Sequence, residues 1–273
     1  MIQIQFKLVF AVILLIGCNA IMACTLNMGY RTNERLPLIN KQPDNSGLYS
    51  HLYGLVAQIL GCELNILRGP KKRILKMLKK GQIDFYPGFN FTVKRAKHYY
   101  YIENGLPGGD IGISRSDLPD ITEIRQLKGQ VLLSALGAAD FVRGEEGIKV
   151  HKVREMTIAK AISLLKRKRG DFYIYNKSTL EYYLSRNKIS DIKIHPDCCG
   201  GNQPLYLAFS RKSSHYEEIP NPDFDPEKLV TEKNFPVLLS PNSLAYQFRE
   251  VLESLKKSGK IDEIYKHYYN NSP

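Results

Sequence analysis

Ile83 to Arg95 reads IDFYPGFNFTVKR, and Gly170 to Ser178 returns to nearly the same phrase in GDFYIYNKS. Each copy follows a basic, amphipathic stretch, PKKRILKMLKKG (70–81) before the first and TIAKAISLLKRKR (157–169) before the second. In the first, Ile74, Leu75 and Leu78 share one helical face, Pro70 suits the first turn and Gly81 falls just past the end. A helix that feeds a short apolar strand is half of a βαβ unit, so the repeated phrase marks equivalent helix-to-strand steps in two α/β units.

Upstream of the first copy, TLNMGY (25–30) reads as a strand and 31–47 as a loop rich in Asn, Pro and Gly. LYSHLYGLVAQIL (48–60) reads as a helix capped by Gly61, and ELNIL (63–67) as a second strand. The result is a βαβαβ run, which calls for a parallel sheet with right-handed crossovers. LPGG (106–109) breaks the pattern and a second run follows. QVLLSA (130–135) is a strand, GAADFVRG (137–144) opens a helix, IKVHKV (148–153) is a strand, and the second copy of the phrase follows the next helix. STLEYYLSRN (178–187) is a further helix and DIKIHP (191–196) a strand, before the loop DCCGGNQP (197–204). LYLAFS (205–210), an acidic and Pro-rich insertion (217–236) and two closing helices (243–259 and 261–269) complete the chain.

The 273 residues are 43% hydrophobic and 24% charged, enough for one large or two medium cores. Residues 1–23 stand apart, with one cation in MIQIQFK, the ten-residue apolar run LVFAVILLIG and small residues after it. Ten apolar residues fall short of the about 20 that span a bilayer, so the segment reads as a secretory signal peptide. Gly17-Cys18 after Leu15-Ile16 resembles a lipobox, which makes a lipoprotein anchored at Cys18 the alternative to soluble export into the periplasm. The net charge of +12 suits nucleic acid, an anionic surface or an anionic small ligand. Export and the lack of any nucleic-acid-binding motif exclude the first. The dense cationic runs, Lys71 to Lys80 and Lys166 to Arg169, read first as solvated helix faces.

Setting Cys18 aside leaves Cys24, Cys62, Cys198 and Cys199, an even count that favours disulfides in an oxidising compartment. Cys24 and Cys62 each precede a strand, and if those strands are parallel neighbours their starting ends adjoin, which permits a Cys24–Cys62 bridge. Cys198 and Cys199 are then either a vicinal disulfide or two thiols. No spacing calls for a metal or cofactor.

The order of elements resembles the family 3 extracellular solute-binding proteins, the periplasmic amino-acid receptors of ABC importers. The pieces that carry the resemblance are GLVAQILGCELNI, ILKMLKKGQIDFYPGFNFTVKRAKHYYYI, ITEIRQLKGQVLLSALG, AISLLKRKRGDFYIYNKSTLEYYL, PLYLAFSRKS and LESLKKSGKIDEIYKHYY, spread over residues 24–270. The resemblance implies a two-lobed α/β fold of the type II periplasmic-binding-protein kind, each lobe a mainly parallel sheet flanked by helices. Lobe 1 is then 24–106 plus 206–273, lobe 2 is 110–197, and 107–109 and 198–205 are hinge crossovers. It also implies a monomer that holds a small ligand in the cleft, with an ABC permease as partner and no cofactor.

Ligands of doubly wound sheets sit beyond the carboxyl ends of the strands. The cleft segment therefore includes Gly88, Asn90 and Thr92. Arg95 matches the family's arginine for a ligand carboxylate, a role that suits a planar guanidinium fork. Ala138 and Ala139 match the start of a far-lobe helix, whose free N–H groups attract anions, although hydroxyl residues are common there. Tyr30 and Phe89 are candidate apolar walls. Two departures stand out: Asn176 occupies the place of the acid that usually holds a ligand ammonium, and Arg31 falls where an acid or hydroxyl is usual. The pattern favours an anionic ligand that lacks an α-ammonium or carries two negative charges, unless Glu34 supplies the missing acid. The rival readings are a cleft enzyme of the cyclohexadienyl-dehydratase type and a sensory or partner-docking module. No catalytic motif supports the former, and the insertion is the feature that could serve the latter.

Overall fold

The computed structural model describes residues 24–136, 141–142, 144–154, 156–200 and 203–270. The leader, Cys18 and the pair Ala138 and Ala139 lie outside the described residues. The chain begins with β1 (Cys24–Arg31), α1 (Leu48–Ile59), β2 (Cys62–Gly69), α2 (Lys71–Lys79) and β3 (Phe85–Tyr86). Both β2 and β3 pair with β1 in parallel, as the sequence pattern requires. A single turn, α3 (Val93–Ala96), leads into β4 (Tyr99–Gly108), and one residue later β5 (Asp110–Arg115) begins in a different sheet. There follow β6 (Val131–Ala135), β7 (Lys149–Val153), α4 (Ile158–Lys166), β8 (Phe172–Asn176), α5 (Lys177–Asn187) and β9 (Ile192–His195). The chain returns to the first sheet with β10 (Gln203–Ser210). The hairpin β11 (Glu218–Pro220) and β12 (Val237–Leu239), then α6 (Leu244–Lys257) and α7 (Lys260–Asn270), end it.

The two five-stranded sheets have orders β2-β1-β3-β10-β4 and β7-β6-β8-β5-β9. They repeat one plan, in which the fourth strand arrives from the other sheet and runs antiparallel to both neighbours. Each sheet is thus mainly parallel with one antiparallel member. β3 and β8, the two copies of the opening phrase, are the third strand of each. The helix expected to open at 137–144 is absent from its described part, because Phe141, Val142 and Gly144 lie in turns. The insertion folds as the antiparallel hairpin of β11 and β12, tied back by Arg211 to Glu218.

The first sheet is packed by one apolar cluster rich in rings, among them Tyr49, Tyr53, Phe85, Phe209 and Phe248, all fully buried. Smaller clusters cover the two faces of the second sheet, one around Ile111, Leu133, Leu165 and Leu180, the other around Leu127, Leu132 and Phe172. Each large apolar side chain taken fully from water contributes about 1.5–3 kcal/mol. Gly112 is required by this packing, since a Cβ there would stand 2.1 Å from the Phe172 ring. Cys24 and Cys62 are register partners at the starting ends of β1 and β2 and are joined in a disulfide. Cys198 and Cys199 form the vicinal disulfide. Among the described residues no helix is long and apolar enough to cross a membrane.

Candidate functional site

Beyond the carboxyl ends of β1 and β8 lies a cavity of about 690 Å3. One wall is the loop after β1, from Arg31 to Leu36 with Lys41 and Gln42. The other is the first turn of α4, Tyr175 of β8 and the exposed side of α5. Among the described residues the lining holds four cations, Arg31, Arg35, Lys41 and Arg186, against one carboxylate, Glu34.

The loop after β1 is long and irregular, yet one side chain fixes its path. Arg68 of β2 donates to the carbonyls of Arg31, Thr32, Asn33 and Asn40 and to Oδ1 of Asn45. All five guanidinium hydrogens are thereby used. So placed, Arg31 reaches across the cleft to donate from Nη2 to the Tyr175 hydroxyl at 3.4 Å, and Arg35 donates from Nε to Thr179 Oγ1 at 3.1 Å. Arg35 also stacks over the Tyr175 ring at 5.5 Å. The Arg31 Nε is buried with no hydrogen-bond partner among the described residues. Buried polar groups are almost always paired, so this donor stands out.

Positive charge outnumbers negative charge here. Burial lowers the Lys71 ammonium below its usual range, and the charges of Arg31, Arg95 and Arg35 lower it further. Burial raises the Tyr175 phenol, but Arg35 and Arg31 outweigh it and hold the group below its ordinary value. The neighbouring Tyr86 and Tyr173, with burial dominant, go up instead.

A smaller cavity of about 330 Å3 lies beside the strand crossovers, lined by Asn90, Asp110, Asn176, Gln203 and Glu232 among others. Asp110 opens β5, and burial raises its carboxyl above the usual range while Arg35 opposes that rise.

Three of the expected site residues fall in these places, whereas Tyr30, Gly88, Thr92 and Arg95 line neither cavity. Arg31 lines the larger cavity, and Asn90 and Asn176 line the smaller. The Asn176 side chain is committed to structure: Oδ1 accepts from the N–H and hydroxyl of Thr179 to cap α5, and Nδ2 donates to the Gly109 carbonyl. Thr92 caps α3 by accepting from the Arg95 N–H. Arg95 donates from Nη1 to the Asn90 carbonyl and lies 4.2 Å over the Phe89 ring. Gly88 has φ +64°, and a Cβ there would meet the Tyr49 hydroxyl at 2.6 Å. Tyr30 and Phe89 are core rings, 2% and 4% exposed; Tyr30 stacks on Tyr86 at 5.5 Å. Glu34 sits on the rim of the larger cavity.

Sequence reading missed Arg35, Arg68, Lys71, Asp110 and Tyr175. Tyr175 carried a usable signal, since it precedes Asn176 in a strand and alternates with Tyr173, on which its ring stacks at 5.7 Å. Arg68 carried none, because four of its five partners are main-chain carbonyls. Among the described residues no cluster of His, Cys, Asp or Glu could hold a metal.

Residues 26–271 match the family described as bacterial extracellular solute-binding proteins, family 3. No curated protein matches. Among solved structures, an ancestral arginine-binding protein bound to arginine is 20% identical over 91% of this chain and 100% of its own, with a TM-score of 0.64. The GluR0 ligand-binding core from Nostoc punctiforme in complex with L-glutamate is 16% identical over 90% and 99%, also at 0.64. The amino acid ABC transporter substrate-binding protein AbpA from Streptococcus pneumoniae, bound to L-arginine, is 15% identical over 90% and 94%, again at 0.64. Identities this low carry the fold.

Proposed function

The chain belongs to the bacterial extracellular solute-binding proteins of family 3, and from that premise we propose that it captures a small carboxylate-bearing anion for delivery to an ABC-type importer. The family places its action outside the cytoplasm, and the structures it resembles are binding proteins rather than enzymes. Our reading adds export to the periplasm by the leader at 1–23. It also adds closure of two lobes, 24–106 with 206–273 and 110–197, about crossovers at 107–109 and 198–205.

The observation that carries the choice of ligand is the charge of the larger cavity, four cations against one carboxylate among the described residues. The solved neighbours named above hold arginine or glutamate, each with an α-ammonium. In this reading Asn176, matched by resemblance to the acid that usually holds a ligand ammonium, is a neutral amide on the smaller cavity, bonded to Thr179 and Gly109. Arg31 and Arg35 are the proposed grip on the anion, and Arg95, outside the cavity lining, adds positive charge nearby.

Isothermal titration with succinate, glutamate and arginine tests the proposal. Succinate binds most tightly and arginine most weakly. Arg31→Ala loses about 2–5 kcal/mol of succinate binding, as expected for one partner of a buried charged pair, and Arg95→Ala loses less. Tight binding of arginine would refute the anion reading.

A further inference from the structure

The larger cavity is as distinctive for its apolar lining as for its charge. Leu36, Met156, Ile158, Tyr182 and Tyr183 contribute to its walls, on the loop after β1, the start of α4 and the exposed side of α5. Leu36 is 39% exposed, a large apolar side chain held at the mouth where water would otherwise meet it. Two of the four cations leave this surface continuous by lying along its rings: Arg35 over Tyr175 at 5.5 Å and Arg186 over Tyr182 at 5.2 Å. A guanidinium laid on a ring presents its N–H edge to an anion while its face stays covered by carbon. At about 690 Å3 the space also falls in the range that encloses drug-sized ligands of mixed polarity. A compact dicarboxylate would leave most of the apolar wall against water.

Resting on the anion reading above, we propose that the ligand is an amphipathic aryl carboxylate. Its carboxylate sits on Arg31 and Arg35, and its ring packs among Leu36, Met156, Ile158 and Tyr182. The two ends of the site then do separate work. The arginines select for negative charge, and the wall shared by the loop after β1 and α5 selects for a planar apolar body.

The test compares 3-phenylpropanoate, propanoate and 3-phenylpropanol, which separate the head from the ring, by titration calorimetry with ligand-observed NMR for the weak binders. The aryl carboxylate binds at least tenfold more tightly than either of the others, because burying a phenyl ring removes a large apolar area from water. Equal binding of the two carboxylates overturns the aryl inference and leaves the anion reading intact. Equal binding of the alcohol and the aryl carboxylate overturns the carboxylate grip. Failure of both carboxylates to bind overturns this inference, and failure of succinate as well removes the anion reading. Tyr182→Ser lowers 3-phenylpropanoate affinity about tenfold and propanoate affinity much less. Leu36→Ser, at a partly exposed position, gives the same selective loss if the first variant does not fold. A parallel loss for both carboxylates in the folded variants overturns the division of labour.

Discussion

In both sheets an aspartate just before the third strand locks that strand to its neighbour. Asp84 receives the Asn27 N–H at 2.7 Å and returns its own N–H to the Asn27 carbonyl; Asp171 does the same with Val131, at 2.9 Å. The repeated Asp-Phe-Tyr is therefore framework: an acid that sets register, followed by residues that enter the core. Past the end of that strand the two halves diverge. After β3 the chain makes the Gly88 turn, the Thr92 cap and Arg95; after β8 it goes at once into α5, with Asn176 as cap. Framework repeats, while the residues assigned to ligand binding do not.

The largest difference in holding force between the halves should come from the disulfide. β2 and β7 are the matching edge strands, but only β2 is stapled to its neighbour among the described residues, through Cys24–Cys62 across a separation of 38 residues. The chain-entropy account gives such a loop about 4 kcal/mol. Replacing both cysteines by Ser should lower stability to denaturant by that order, and hydrogen exchange should then show β2 opening as readily as β7. An unshifted midpoint would mean that the pairing of β1 and β2 holds without the staple.

The paired aspartates give the next effect. Asp84 is 3% exposed and also accepts from Asn27 Nδ2 and from the Ser213 hydroxyl. Asp171 is more open, and its second oxygen takes a longer bond, 3.3 Å, from Arg115 Nη2. Hydrogen bonds to a buried charged group contribute about 1.5–3 kcal/mol each, and exposure reduces that. Asp84→Ala should therefore cost about 3 kcal/mol and Asp171→Ala about half as much, read from urea midpoints. Equal costs would show that Ser213 and the deeper burial add nothing to the clamp.

Much of this was legible in the sequence because it depends on local order. The two βαβ runs, the third-strand position of both phrases and the adjoining ends of β1 and β2 follow from periodicity and right-handed crossovers. The position of Asn176 at the end of its strand was legible too, but its task was not. An Asn at that point either faces a ligand or caps the next helix, and only the folded chain shows its Oδ1 on Thr179 and its Nδ2 on Gly109. The walls of the larger cavity were hidden for a different reason. Arg35 lies in a loop whose course depends on Arg68, 33 positions later, reaching four carbonyls and Asn45. Hydrogen bonds to the main chain leave no mark on the identity of the residues that accept them.

The smallest effect probes a place where the two halves touch through charge. Tyr175 belongs to the second sheet, yet Arg35 and Arg31 of the first overcome the burial that would raise its phenol and hold it below 10. A folded-state value below the unfolded one makes the phenolate a stabilising group above the unfolded value. That contribution is lost as pH falls through the folded value. It is gained between the folded value and pH 10, and a full tenfold shift would be only ~1.4 kcal/mol. Phenolate absorbance of the protein minus that of Tyr175→Phe should show one group ionising ahead of an ordinary tyrosine. An anionic ligand that neutralises the two guanidinium groups should move that ionisation back up. A difference curve centred at or above 10 without ligand would mean the cations do not act on Tyr175. A curve that ignores a bound anion would place the anion away from Arg31 and Arg35, and the two halves would then meet at the cleft without sharing the ligand's charge.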